Sequence, residues 1–147
     1  MRGEIRAIHP DFLYLLEFKE PELIDLFIDL REFVLEIYPD SNELLYHTHA
    51  LTAGFSITGR LSETFCVLPI YTNHVNLGLN KGTLLPDPHK LLKGTGNLMR
   101  HIPVAKREDY RNEPVRDLLS AAVALSIANM DKPSDLKRAT ISKIKTK

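Results

Sequence analysis

Residues 43–80 read ELLYHTHALTAGFSITGRLSETFCVLPIYTNHVNLGLN, and their period decides the fold. ELLYHTHALTAGFSI has a β-like pattern, with Gly54 marking a bulge or bend. TGRLSE is a connection. TFCVLPIY is a second strand, and Pro69 within it points to an edge or an irregularity, because proline cannot donate to a ladder. HVNLGLN alternates, with Val75, Leu77 and Leu79 on one side and His74, Asn76 and Asn80 on the other. This is the pattern of a half-exposed strand.

Working outward, residues 81–102, KGTLLPDPHKLLKGTGNLMRHI, hold three glycines, two prolines and two histidines among basic and apolar residues. The end of that stretch, LMRHIPV, reads as another strand. Upstream, Asp11 can cap a short helix over FLYLLEF, and Pro21 suits the first turn of a second. Leu23, Phe27, Leu30, Val34 and Ile37 then recur at helical spacing, and Pro39 stops the helix. Downstream, Glu113-Pro114 opens a last helix through about Asn129, with small residues suited to lie against a sheet. Helices before and after a run of strands predict an α+β fold, an antiparallel sheet covered by N-terminal and C-terminal helices. With no internal repeat, residues 1–130 form one domain, and residues 131–147 read as a basic, mobile tail.

The chain has 147 residues, 44% apolar and 26% charged, ordinary for a soluble globular protein. Its one cysteine, Cys66, excludes an intrachain disulfide and a CxxC zinc site. The N-terminus has no signal-peptide pattern, and no stretch approaches a membrane-spanning length, so the expectation is a cytoplasmic protein without membrane contact. Net charge is zero but unevenly spread. Residues 1–43 carry a net −7 and the remainder +7, which suits a polarised surface or a self-complementary homodimer. The tail lacks the arginines and aromatics of a nucleic-acid arm, so nucleic acid is not an expected partner.

Residues 75–104, VNLGLNKGTLLPDPHKLLKGTGNLMRHIPV, carry a resemblance to the domain-of-unknown-function 1801 (YdhG-like) family. The matching pieces are Lys81-Gly82, Asp87-Pro88, Leu91-Leu92, Gly94-Thr95-Gly96 and Arg100-His101-Ile102, in the family's order. Tyr38-Pro39-Asp40 and Glu43 match its helix end, so the resemblance covers about residues 11–128. It implies a small cytoplasmic α+β protein without an established reaction, one branch of which is described as a frataxin-like iron chaperone. Where many members carry Tyr-Gly-Met-Pro, this chain has Tyr46-His47-Thr48-His49-Ala50.

Three groups of residues are candidates for function. In the 81–102 stretch, Gly82, Gly94 and Gly96 can let backbone N–H groups converge on a small anion, with Lys81, Lys93, Arg100 and His101 adding charge. The spacing is neither a P-loop nor GxGxxG. The plainer reading makes the glycines turn devices and Asp87 the cap of a short helix over PHKLL that Gly94 ends. His47 and His49, two apart on a strand, share a face and could bind zinc or iron with a third ligand from His74, His101, Asp87 or Glu43. Otherwise they are a hydrogen-bonded pair lining a cleft. Glu22, Asp25, Asp29, Glu32 and Glu36 form an acidic stripe that could hold iron, as an acidic helix face does in frataxins, or is an ordinary solvated face.

The reading these candidates favour is a non-enzymatic binding protein for a metal ion or a small anionic ligand. An enzyme with His47, His49, Arg100 and His101 in one cleft is the alternative, and a homo-oligomeric interaction module is a third. No serine, threonine or cysteine stands in a nucleophile motif.

Overall fold

The computed structural model describes residues 6–145 of the chain. Helices α1 (Pro10–Leu16) and α2 (Pro21–Ile37) come first, and α3 (Glu113–Ala128) follows the meander of strands. The strands are β1 (Asn42–His47), β2 (Leu51–Ser56), β3 (Thr64–Ile70), β4 (Val75–Leu79), β5 (Arg100–Val104) and β6 (Thr140–Ser142). They form one open sheet in the order β5-β4-β3-β2-β1-β6, antiparallel except that β6 runs parallel to β1. The α+β expectation holds. No helix among the described residues is long and apolar enough to cross a membrane.

The apolar stripe of α2 meets one face of the sheet. Phe27, Leu30 and Val34 join Phe12 of α1, Leu118 and Leu119 of α3, and Leu45, Ala53, Leu68, Leu77 and Ile102 of the strands in one buried cluster. Phe12 stacks on Phe27 with ring centroids 5.1 Å apart. Each large apolar side chain so buried stabilises the fold by about 1.5–3 kcal/mol. Alternation turns Leu44, Gly54, Val67 and Gly78, paired across four strands, to the opposite face. A Cβ on Gly78 would lie 2.8 Å from Val67 Cγ2, so that glycine makes room for the valine.

Three local expectations are corrected, and a fourth is resolved between its two alternatives. The segment expected as one strand bent at Gly54 is a hairpin. It reverses at Thr48–Ala50, where Thr52 Oγ1 donates to the Ala50 carbonyl. Folding back pairs the backbone of β1 with β2 residue for residue, which a single strand of that length would leave without a neighbour. The register irregularity falls between Phe55 and Ser56 rather than at Gly54. Pro69, expected at an edge or an irregularity, marks an irregularity. It interrupts the β3–β4 pairing inside the sheet, between Val67↔Gly78 and Ile70↔Val75. The cap of α1 is His9, whose Nδ1 accepts from Asp11 N–H, while the Asp11 carboxylate accepts from Ser142 Oγ.

The largest correction concerns the tail. Residues 140–142 are a sheet strand, and Ile144 is buried in the core cluster. Buried Asn42 secures the approach, its amide donating to the Leu136 carbonyl at 2.8 Å and its oxygen accepting from Ala139 N–H at 3.0 Å. Those bonds satisfy a buried side chain and the backbone of an otherwise polar segment, so a basic sequence still docks.

Helix α2 is tied to the sheet by Arg31, whose Nε and Nη2 donate to the two Glu43 carboxylate oxygens at 2.7 and 2.9 Å. Both side chains are 3% exposed. The expected cost of Glu43→Gln is about 3 kcal/mol, because it leaves a buried guanidinium uncompensated. Urea unfolding measures it, and an unchanged midpoint would contradict that role.

Candidate functional site

The strands place the sequence candidates in three separate regions. His47 ends β1 opposite Leu51, and His49 lies beyond it in the exposed turn. The expectation of two histidines on one strand face therefore fails, because the chain reverses between them. His47 lines a shallow concavity of about 300 Å³ with Phe18, Lys19, Thr72 and Asn73. The other end of the sheet holds residues 81–102. Arg100 opens β5, whereas His47 closes β1, and four strand spacings, roughly 19 Å, separate the two strands. His47 and His49 thus do not share a cleft with Arg100 and His101, nor do they flank the Gly94–Gly96 turn.

Within 81–102 the glycines, Asp87 and Arg100 have local uses. A 3-10 turn spans Gly82–Leu84. A Cβ on Gly82 would sit 2.5 Å from Arg100 Cβ, so only glycine allows β5 to pass so closely. The Asp87 carboxylate accepts from Leu91 N–H at 2.9 Å and Leu92 N–H at 3.0 Å, but no helix forms over PHKLL. Lys90, at φ +54°, takes the chain out of helical geometry there, and Gly94 has φ +118°. Lys93 exchanges both backbone hydrogen bonds with His101. Arg100 Nη1 donates to the Gly94 carbonyl at 3.1 Å and the Gly96 carbonyl at 2.7 Å. The groups that converge at this turn are carbonyls on a guanidinium, which is the opposite polarity to an anion nest.

The acidic stripe is unevenly occupied. Glu22 and Asp25 are exposed on α2, beside Lys106 and Arg107 across a shallow depression. Asp29 is buried, and Tyr110 Oη donates to it. Arg111 donates to both its oxygens at 2.8 and 3.1 Å, and Arg107 stands 3.7 Å away. Burial alone would raise the Asp29 carboxyl, yet the hydrogen bonds from Arg111 and Tyr110 outweigh it and hold the group below the usual carboxylate range. Burial and the Asp29 bond push the Tyr110 phenol up. Glu36 is 3.3 Å from Arg111, and half-buried Glu32 is engaged as well. Among the described residues, no group of three His, Cys, Asp or Glu side chains could hold a metal ion. Cys66 is fully buried, which pushes its thiol well up and makes it a poor nucleophile.

Sequence reading missed a broad concavity, about 750 Å³, on the sheet face turned away from the helices. Leu44 and Tyr46 of β1, Leu61 of the β2–β3 connection and Ile141 of β6 give it an apolar floor. Arg60 and Lys143 stand at its sides, and no carboxylate lines it among the described residues. Arg60 is positioned by its Nε bond to Glu63 at 2.8 Å and its Nη2 bond to the Lys132 carbonyl at 2.6 Å. Glu63 is buried and also accepts from Ser62 and Thr58, contacts that hold its carboxyl below the usual range against burial. No ion pair or side-chain hydrogen bond engages the Lys143 ammonium among the described residues. The available signal was the run Leu44-Leu45-Tyr46, which is apolar on both faces of its strand.

No family model matches the chain, and neither a curated protein nor a solved structure matches it.

Gly82→Ala should lower stability by about 1–3 kcal/mol, since Arg100 and β5 must shift. Thermal unfolding tests it, and a wild-type melting curve would refute the close approach. The low pKa of Asp29 means that its contribution is full above the unfolded carboxyl value, near 3.9, and is lost as pH falls through the lower folded value. Asp29→Asn should therefore narrow the stability difference between neutral pH and about pH 2. Parallel pH profiles for the two proteins would show that Asp29 is not coupled to Arg111.

Proposed function

We propose that this is a non-enzymatic binding protein for a small anionic ligand, held in the concavity between β1, β6 and the β2–β3 connection. The observation that carries the reading is the lining: two cations, an apolar floor and no carboxylate among the described residues. A pocket of several hundred Å³ with few convergent polar groups is the usual form of a small-ligand site. The buried cysteine and the wide separation of the histidines from Arg100 support binding over catalysis. The reading suits the kind of protein that the YdhG-like resemblance implies, and in this proposal that family membership is retained. Iron handling by the acidic stripe has less support, because Asp29 and Glu36 face Arg111.

The test uses 1-anilinonaphthalene-8-sulfonate, an apolar anion whose fluorescence rises in such sites. Wild type should enhance it, and Lys143→Gln should weaken binding about tenfold. No enhancement, or equal affinity in the variant, would count against the site.

A further inference from the structure

The concavity is asymmetric in a way that specifies its ligand more narrowly, an argument that rests on the binding reading above. Arg60 has two of its nitrogens engaged, Nε by Glu63 and Nη2 by the Lys132 carbonyl, which leaves Nη1 as the terminal nitrogen without such a bond among the described residues. Lys143, just past the end of β6, adds an exposed ammonium. Glu63 pairs with one of the two lining cations, so among the groups that line the concavity and their ion-pair partners the surplus is about one positive charge. That surplus matches a monoanion better than a phosphate dianion. The floor, by contrast, is extended and apolar: Leu44 is 5% exposed, Leu61 is 70% exposed and Ile141 is half-buried. A small inorganic anion would leave that surface wet, whereas a chain of methylenes would cover it.

We infer that the site takes an amphipathic monoanion, a chain carboxylate, its head between Arg60 and Lys143 and its chain over Leu44, Leu61 and Ile141. The tail is part of this site, because Ile141 and Lys143 belong to the segment that Asn42 holds against β1. Binding should therefore also steady β6.

Methyl-detected NMR titration of the full chain tests the inference. The probes are acetate, butanoate, hexanoate, octanoate, octanol, octyl sulfate and octyl phosphate, all below micelle-forming concentrations. Octanoate and octyl sulfate should shift the Leu44, Leu61 and Ile141 methyls. Each methylene from butanoate to octanoate should tighten binding about twofold to fourfold. Octanol should bind about tenfold more weakly than octanoate, and Lys143→Gln should erase that difference. Lys143 is exposed and docks through its backbone N–H, so this variant should keep the unliganded spectrum.

Acetate binding as well as octanoate, or octyl phosphate binding tightest, would overturn the amphipathic monoanion while leaving an anion site. Octanol matching octanoate would remove the anion from both readings. No methyl shift with any probe would overturn the binding reading itself.

Discussion

The Arg31–Glu43 pair is the constraint on which the rest of the structure depends. It joins the middle of α2 to the start of β1 in a setting that excludes water. Arg31 also takes the Arg6 and Ala7 carbonyls, so the segment before α1 is fixed by the same guanidinium. Because Glu43 must point toward α2, alternation sends Leu45 into the core and Leu44 and Tyr46 away from it. A one-residue slip of β1 would reverse every one of those directions. The face that carries the candidate site is thus set by an ion pair on the other face of the sheet.

The charge asymmetry of the sequence has an internal use. Asp29 and Glu36, from the acidic first part of the chain, meet Arg107 and Arg111 from the basic remainder. Asp40 meets Arg138 of the tail in the same way. Arg111 and Arg116 also lie over the Phe33 ring, at 5.4 and 5.1 Å from its centroid. The near single-signed face of α2 is costly in an isolated helix but stable once α3 and the turn before it arrive. Exposed members of these networks contribute little each, and buried Asp29 dominates.

The long apolar stripe from Leu23 to Ile37 was legible because a 3.6-residue period needs no distant partner, and the β4 alternation was legible for the same reason. The network around Asp29 was not, since Tyr110 and Arg111 lie more than eighty residues away in sequence. The hairpin at Thr48–Ala50 was hidden because no glycine, proline or asparagine marks that turn. Strand β6 was hidden by its length of three residues and its basic flanks. The concavity needs all of these at once, because its floor comes from residues near 44, 61 and 141. Residues 81–102 show the converse. Gly82, Asp87, Gly94 and Arg100 stand out in the sequence, and in the structure they close a loop by bonding or packing against one another. A conspicuous motif can therefore be a folding device, while a site assembled from ordinary residues leaves little local trace.

The proposed function places the ligand on the helix-free face beside β1 and β6. Intermolecular NOEs between octanoate chain protons and the methyl groups of selectively labelled protein test it most directly. NOEs to Leu44, Leu61 and Ile141 are expected. NOEs confined to Leu84 and Leu98 of the 81–102 stretch would contradict it and return the ligand to that loop.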